Sequence, residues 1–258
     1  MKKIIMVTGA TAGFGRATAL IFAKNGYNVI ITGRRKERLA ELEKELLKAG
    51  KINVLSLHFD VRKLEEVNSV IGNLPAEWKD IDILVNNAGL AVGMDHIDKG
   101  NIDDWERMID TNVKGLLYVT RAVAPLMVAR TSGHIFNIGS IAGKDAYENG
   151  NVYCASKSAV ASLSKSMRID LLQHNIKVTH IAPGMAETEF SIVRFKGDSE
   201  RASNVYKGID ALKGEDIAVI IYYCATLPPH VCINDLEVTP TQQASVNHNC
   251  RRPVNGDR

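Results

Sequence analysis

The sequence is poor in the features that mark disulfide-bonded, metal-binding or membrane-spanning proteins. It has only four cysteines, with no CxxC pair and no cluster of them with its seven histidines. The common zinc-site spacings are therefore missing, and reduced thiols are the simplest explanation, so we expect no metal and a cytoplasmic location. No stretch approaches the roughly 18 apolar residues of a spanning helix, so we expect no membrane partner.

Strong charge of one sign is also missing. The net charge is +3 over 258 residues, which is too small to indicate a nucleic-acid or anionic-membrane partner. The length suits one large α/β domain. The opening MKKIIMVTGATAG superficially resembles a signal peptide, but its apolar run, Ile4 to Val7, leads directly into a Thr-Gly turn. A first β-strand is the better interpretation.

Short apolar runs alternate with amphipathic stretches along the chain, a pattern typical of a parallel sheet covered by helices on both faces. The predicted strands are Lys3–Thr8, Asn28–Thr32, Asn53–Phe59, Ile83–Asn86, His134–Ile138, Lys177–Ile181 and Asp235–Val238. The predicted helices are Gly13–Asn25, Lys36–Ala49, Lys63–Leu74, Ile102–Arg130, Val152–His174 and Gly214–Ala225. We therefore predict an α/β fold, a Rossmann-like doubly wound parallel sheet of about seven strands, in a single domain over residues 1–243.

Two segments interrupt this alternation. Residues 185–208 form a long stretch without a predicted strand, and a loop of that length in a compact domain is usually functional or mobile. We expect it to be the substrate loop. Residues 244–258 are polar, and we expect a C-terminal tail on the surface, in which Arg251 and Arg252 are solvated.

The first strand ends in a glycine-rich run that opens directly into a helix. Its residues are Thr8, Gly9, Ala10, Thr11, Ala12, Gly13, Phe14 and Gly15. Glycines permit a tight turn and a close approach of backbone to a diphosphate, and a helix N-terminus supplies free N–H groups. In this strand–turn–helix context, the run predicts a dinucleotide site rather than a purely structural turn.

The end of the second strand indicates which dinucleotide binds. Folds that select NAD usually place an acid there, whereas this chain has Arg34 and Arg35. Guanidinium groups bind a 2′-phosphate well, so we predict NADP (NADPH) as the cofactor. Solvent-facing arginines are the alternative. Asp60 and Val61, after the third strand, are expected at the adenine, although Asp60 could instead cap the next helix.

Tyr153 and Lys157 are four residues apart on a predicted helix, and their side chains therefore share a face. An ammonium beside a phenol favours the phenolate and lowers the pKa of the tyrosine from about 10. This makes Tyr153 a candidate acid/base for interconverting an alcohol and a carbonyl. The spacing alone is weak evidence, since such pairs are common on solvated helices.

The ordered set of motifs, from the glycine-rich run through Asn86-Asn87-Ala88-Gly89 to Tyr153 and Lys157, resembles the short-chain dehydrogenase/reductase superfamily. The resemblance implies that Tyr153 is the acid/base and that Lys157 holds the nicotinamide ribose and lowers the tyrosine pKa. It implies that Ser140 donates to the substrate oxygen and that Asn112 holds the water of a proton relay. The cofactor residues that it adds are Asn87, Pro183, Gly184 and Thr188. Ser140 and Asn112 could instead be ordinary turn and helix residues.

A closer resemblance is to the NADP-dependent 3-hydroxy acid dehydrogenases, which include serine and L-allo-threonine dehydrogenases and malonic semialdehyde reductases. It is carried by Pro75-Ala76-Glu77-Trp78, the run Val193 to Asp198, and Thr226 to Val231. It implies hydride transfer at C3 of a small hydroxy acid, no metal, and a homotetramer. The substrate would contact Ser140, Tyr153 and Arg194. Lys196 and Lys144 are further candidates for binding its carboxylate.

Two alternatives stay open. A sibling NADP-dependent carbonyl reductase acting on ketones, sugars or acyl-carrier-bound ketoacids would share every catalytic residue. A dinucleotide-sensing protein without activity could share the fold, although such proteins typically lack the tyrosine or the lysine. The charged stretch from Lys144 to Glu148 is unusual beside such a site, and we expect it to bear on substrate choice.

Overall fold

A seven-stranded sheet forms the centre of the protein in the computed structural model, which describes residues 2–252. The strands are β1 (Ile4–Val7), β2 (Asn28–Gly33), β3 (Val54–His58), β4 (Ile81–Asn86), β5 (Gly133–Ile138), β6 (Ile176–Pro183) and β7 (Asp235–Val238). Their order is β3-β2-β1-β4-β5-β6-β7, and every neighbouring pair is parallel. The predicted doubly wound sheet is confirmed. Its strand order reverses between β1 and β4, which is where such folds open a crevice for ligands.

Nine α-helices occur among the described residues and cover both faces of the sheet. They are α1 (Gly13–Lys24), α2 (Lys36–Ala49), α3 (Leu64–Gly72), α4 (Ile102–Ile109), α5 (Leu116–Ala129), α6 (Asn151–Asp170), α7 (Phe190–Arg194), α8 (Ser199–Asn204) and α9 (Gly214–Thr226). One core lies between the sheet and α1, α2 and α9, and another between the sheet and α3, α5 and α6. The central strands are apolar on both faces because both faces are buried.

The single helix predicted over Ile102–Arg130 is wrong in one respect. A π-helical turn, Asp110–Gly115, separates α4 from α5. Inside it, the Asn112 amide bonds the backbone of Leu90, and a Cβ on Gly115 would lie 2.8 Å from a methyl group of Val61. The turn depends on contacts of Asn112 and Gly115 with distant parts of the chain, which the sequence pattern does not show.

The two irregular segments are more ordered than the sequence suggests. Residues 185–208 contain the short helices α7 and α8. The tail folds back over them, since the guanidinium of Arg251 donates to the carbonyls of Lys207 and Val205, and Arg252 N donates to Gly208 O at 2.8 Å. The prediction that Arg251 is only solvated is therefore wrong, since its guanidinium bonds two backbone carbonyls. The predicted tail residues 253–258 lie outside the described part of the chain.

No helix within residues 2–252 combines the length and the apolar character needed to cross a bilayer.

Candidate active site

A cavity of about 800 Å³ opens at the carboxyl ends of the strands. Most residues that the sequence singled out line it, namely Gly9, Thr11, Ala12, Gly13, Phe14, Arg34, Arg35, Asp60, Val61, Asn87, Ser140, Tyr153, Lys157, Pro183, Gly184, Thr188 and Arg194. Thr8, Gly15 and Asn112 lie behind the wall of the cavity, where they are buried. Residues from six strand ends thus converge on one site.

The glycine-rich turn is shaped for close contact with a ligand. Gly9 and Gly13 have φ angles of +62° and +50°, a region that favours glycine. The helix α1 follows with Ala12 as its N-cap, and no side chain caps it. Its first N–H groups, which have no partner inside a helix, are therefore available to an anion such as a diphosphate.

The buried residues behind this turn hold its shape. The Thr8 hydroxyl accepts hydrogen bonds from the backbone N–H groups of Asn87 and Ala88, each at 3.0 Å. The Asn87 amide donates to the carbonyls of Thr8 and Gly9, at 2.9 and 3.1 Å. A Cβ on Gly15 would lie 2.6 Å from the Gly9 carbonyl oxygen. These three predicted residues therefore join β1 to β4 and position the turn.

The two predicted arginines lie in the crevice just after β2 and differ in how firmly they are held. Arg35 donates from Nε and Nη2 to the Thr11 hydroxyl at 3.1 and 2.7 Å. Arg34 is half exposed, and its Nη1 lies 3.8 Å from an Asp60 oxygen. Arg34 is thus the freer donor for a 2′-phosphate.

Asp60 does not cap the following helix, which begins without a side-chain cap. Its carboxylate accepts hydrogen bonds from the backbone N–H and the guanidinium of Arg62. Burial raises the pKa of Asp60, but these bonds and the charge of Arg34 outweigh it and hold the pKa below its usual value. Asp60 is therefore an ionised group in the cavity wall.

Glu189, which the sequence analysis missed, bridges two arginines. Its carboxylate accepts from Arg35 Nη1 at 2.8 Å and from the guanidinium of Arg38. Burial raises its pKa, but the two arginine hydrogen bonds outweigh burial and lower it. The two bonds from Glu189 to Arg35 and Arg38 attach the N-terminus of α7 to the start of α2. The sequence signal for this ion pair was an acid, Glu189, directly after a predicted cofactor residue, together with three arginines after β2.

Tyr153 is buried at the centre of the cavity, with 9% of its surface exposed. Burial raises the pKa of its phenol above 10.0, whereas the charge of Arg194 and the hydrogen bond to Ser140 lower it. The carbon of the Arg194 guanidinium lies 5.0 Å from the centre of the Tyr153 ring. At neutral pH the phenol therefore keeps its proton in this structure, and the cation that acts most on it is Arg194.

Lys157 lies beside Tyr153, the group whose pKa it is predicted to lower. Its Nζ lies 5.9 Å from the Tyr153 ring centre and donates to the Ile138 carbonyl at 2.9 Å. Burial lowers the pKa of Lys157 from 10.5 to about 8, so the ammonium is still mostly charged at neutral pH. Its effect on the tyrosine pKa and its contact with the nicotinamide ribose both stay predictions.

Ser140 and Asn112 both have protein partners. The Ser140 hydroxyl accepts from Ala142 N at 3.1 Å, lies 3.4 Å from Pro183 O, and faces the cavity. The Asn112 amide bonds both backbone groups of Leu90 at 2.8 Å and donates to the Ser156 hydroxyl at 3.0 Å. Because the side chain of Asn112 is fully engaged, its role in holding a water stays a prediction that the side chain itself does not support.

Of the three candidate cations for a substrate carboxylate, only Arg194 faces the cavity. Lys196 pairs with Asp104 on α4 at 2.7 Å, and Lys144 pairs with Asp235 at 3.0 Å on the far side of its turn. Arg194 donates to the Tyr147 hydroxyl, and its buried Nε has no partner among residues 2–252. Because Arg194 lines the cavity, it is the one of these three cations that a bound carboxylate or other small anion can meet.

The tail also contributes to the site, which the sequence did not indicate. Val246, Asn249 and Arg251 line the cavity together with Gln243. The Gln243 side chain accepts from Met185 N at 2.7 Å, at the start of the segment 185–208. The described residues contain no group of three or more histidine, cysteine or acidic side chains that could hold a metal ion.

Comparisons of this chain with family models, curated proteins and solved structures agree on one family. A family model described as short chain dehydrogenase matches residues 3–198. An NADP-dependent 3-hydroxy acid dehydrogenase of Salmonella typhi is 52% identical over 93% of this chain and 96% of its own length. Sulfoacetaldehyde reductase 2 of Chromohalobacter salexigens is 46% identical over 95% of this chain and 96% of its length. A serine dehydrogenase in its closed form with NADP⁺ superposes with a TM-score of 0.90 and 49% identity, covering 97% of this chain and 100% of that one.

Proposed function

Because this chain belongs to the short-chain dehydrogenase family, we propose that it is an NADP(H)-dependent oxidoreductase acting at a CH–OH group. The NADP-dependent relatives and the NADP⁺ complex of the similar serine dehydrogenase support the choice of cofactor. We propose further that its substrate is a small 3-hydroxy acid of the serine, allo-threonine or 3-hydroxypropionate type, oxidised at C3, or the corresponding semialdehyde or keto acid.

The residues of the crevice fit a dinucleotide that carries a 2′-phosphate. The uncapped N-terminus of α1 suits the diphosphate. Four arginines, Arg34, Arg35, Arg38 and Arg62, face two acids, Asp60 and Glu189, which leaves a net charge of +2. A phosphate monoester carries about −1.5 to −2 at neutral pH, so the cluster matches it in charge. When bound, the nicotinamide supplies or accepts the hydride.

The protein residues supply the proton and fix the substrate oxygen. In the reducing direction, Tyr153 donates its proton to the oxygen that becomes the hydroxyl, and its raised pKa keeps that proton available at neutral pH. The Ser140 hydroxyl, which lines the same cavity, donates to this oxygen as negative charge develops on it. In the oxidising direction, Tyr153 must accept the proton, and the positive charge of Arg194 favours the required phenolate.

The observation that carries the substrate class is the position of Arg194. Its guanidinium lies over Tyr153 and lines the cavity. Hydrogen bonds between a guanidinium and a carboxylate are short and strong because both groups are charged. A carboxylate two carbons from the reacting carbon would pair with Arg194 while its hydroxyl contacts Tyr153 and Ser140. An uncharged alcohol would gain no such bond.

The test measures NADPH formation with L-serine, L-allo-threonine, 3-hydroxypropionate, 3-hydroxyisobutyrate and uncharged secondary alcohols, with NADP compared with NAD. We expect the acids to be preferred and NADP to be used far better than NAD. In the Arg194→Gln variant, KM for the preferred acid should rise about 10- to 100-fold, the value of one charged hydrogen bond. KM for an uncharged alcohol should change little.

Lys196→Gln is the matched control, since Lys196 lies two residues away but pairs with Asp104 outside the cavity. It removes a nearby charge and one anchor of α7 but keeps the Arg194 guanidinium, so it should raise KM for acids much less than Arg194→Gln does. Equal losses for acids and alcohols in Arg194→Gln would refute the role of Arg194. Turnover of ketones or sugars without any hydroxy acid would favour the sibling carbonyl reductase instead.

Two further parts of this proposal rest on the resemblance to the family. We expect a homotetramer, which light scattering of the purified protein tests, and a cytoplasmic location, which fractionation of the source cells tests. A sulfonate could occupy the place of the carboxylate at Arg194, because both are compact anions. The substrate panel therefore also includes sulfoacetaldehyde, the substrate in the name of one relative, and its reduction is followed by the consumption of NADPH.

A further inference from the structure

The charged residue Lys144, which follows the turn that carries Ser140, has partners outside the cavity. Its Nζ lies 3.0 Å from an Asp235 oxygen and 3.1 Å from a Glu237 oxygen, both on the edge strand β7. Burial lowers the pKa of Lys144, but these two carboxylates outweigh it and raise the pKa. The lysine is therefore charged and holds the C-terminal end of the Ser140 turn on β7.

The other oxygen of Asp235 pairs with a buried histidine. His180, on β6, is 1% exposed, and its Nδ1 lies 3.0 Å from Asp235 Oδ2. Since an ionised carboxylate only accepts hydrogen bonds, Nδ1 carries the proton of the neutral ring. Burial raises the pKa of Asp235, but the bonds from Lys144 and His180 outweigh it and lower the pKa, which keeps the carboxylate ionised at neutral pH.

The His180 ring is packed against the residue that precedes Ser140. A Cβ placed on Gly139 would overlap the His180 Nε2, so the ring and the backbone of Gly139 are in direct contact. That Nε2 has no hydrogen-bond partner among residues 2–252. The orientation of the ring thus depends on its bond to Asp235, and the path of the chain at Gly139 depends on the ring.

The Asp235 carboxylate therefore supports both ends of the six-residue segment from Gly139 to Lys144. It bonds Lys144 directly, and it acts on Gly139 by holding the His180 ring against it. Ser140 lies between these two supports. We propose that Asp235 is a positioning residue for Ser140, acting from β7 without touching the cavity, so that the Ser140 hydroxyl meets the substrate oxygen in the reactive geometry. Asp235 does not line the cavity. The inference rests on the proposed dehydrogenase chemistry, in which Ser140 stabilises the reacting oxygen.

The experiment uses Asp235→Asn, which keeps the shape of the side chain but replaces one accepting oxygen with a donating NH₂. Asparagine can keep both contacts only if the neutral His180 ring moves its proton from Nδ1 to Nε2, which would then be a buried donor without a partner among residues 2–252. A misplacement on the scale of 1 Å near a reacting group costs up to about 100-fold in rate. We expect kcat to fall about 10- to 100-fold, with little change in KM for NADP, because β4, β5 and β6 lie in the sheet between β7 and β1, which the turn at Gly9–Gly15 follows.

Glu237→Gln is the matched control, since Glu237 shares the strand and the lysine but does not bond His180. It should change kcat less than about twofold, because Lys144 keeps its bond to Asp235. The assay uses whichever compound of the panel is turned over best, hydroxy acid or not, so an error in the substrate class leaves this test intact.

A double-mutant cycle separates positioning from general damage to the fold. If Asp235 acts through Ser140, Asp235→Asn should have no further effect on kcat in the Ser140→Ala background. Lys144→Met removes the bond between Lys144 and Asp235 and leaves the bond between His180 and Asp235. It should give a smaller fall in kcat, and this fall should also vanish in the Ser140→Ala background. Undiminished effects in the Ser140→Ala background, or a normal kcat in Asp235→Asn, would overturn the inference.

Discussion

Replacing Lys157 with methionine should make the protein more stable and inactive at the same time. Lys157 is 6% exposed, forms no ion pair among residues 2–252, and has a pKa lowered from 10.5 to about 8 by burial. That difference corresponds to about 3 kcal/mol of unfavourable free energy at neutral pH, at about 1.4 kcal/mol per pH unit. The lost hydrogen bond to the Ile138 carbonyl removes about 1 kcal/mol. The net gain of the folded state is then about 2 kcal/mol.

The sign of the pH dependence follows from the direction of the pKa shift. Below pH 8 the lysine is charged in the folded and the unfolded chain, and the wild type carries the full penalty. Between the folded value of about 8 and the unfolded value of 10.5, the unfolded chain binds more protons, so the stability of the wild type rises with pH. The advantage of Lys157→Met should therefore shrink over this interval.

The assay is thermal and urea unfolding without cofactor, at one protein concentration, at pH 7 and at higher pH. A gain of about 2 kcal/mol should raise Tm by about 4 to 8 °C. Lys165→Met, an exposed lysine on the same helix, is the control and should change Tm little. Lower stability of Lys157→Met at pH 7, or an advantage that does not shrink as the pH rises, would show that the buried ammonium is not the source of the penalty.

The cofactor end of the crevice gives three further predictions. Arg34→Gln should lower kcat/KM with NADP about 10-fold and leave NAD nearly unaffected, since Arg34 is the freer phosphate donor; equal losses with both cofactors would contradict this. Glu189→Gln should lower Kd for NADP up to about fivefold by releasing donors of Arg35, measured by titration calorimetry with NAD as the control. Gly13→Ala should destabilise the protein by about 1 kcal/mol and weaken NADP binding, because its φ is +50° and a Cβ would lie 3.3 Å from Thr188; wild-type stability and affinity would refute the requirement for glycine.

The sequence predicts most of the fold because its signals are local. Apolar runs bounded by turns give all seven strands within a few residues, and the glycine-rich run after β1 predicts the cofactor crevice. The joint order of Asn112, Ser140, Tyr153 and Lys157 indicates the chemistry. None of these signals depends on knowing which residues meet across the fold.

What the sequence missed depends on contacts between distant residues. Glu189 reaches α2 across more than 150 positions. His180 and Lys144 share Asp235 because β7 pairs with β6 at the edge of the sheet. The surroundings of Tyr153 were hidden from the sequence for a similar reason. Spacing on a helix places the two side chains on one face, but only the packed structure shows that the lysine is buried and that Arg194 is closer.

The helix α7 lies between the arginine cluster after β2 and the part of the cavity that contains Tyr153. Its first end is held by Glu189 on the arginines of α2, and just beyond its last residue Lys196 is held by Asp104 on α4. Arg194 lies between these two anchors and is the group that faces Tyr153. A charge placed at the arginine cluster, such as a 2′-phosphate, therefore acts on the same short helix that would bind a substrate carboxylate. Cofactor choice and substrate choice share one structural element, so variants at Glu189 should change KM for the substrate as well as Kd for NADP.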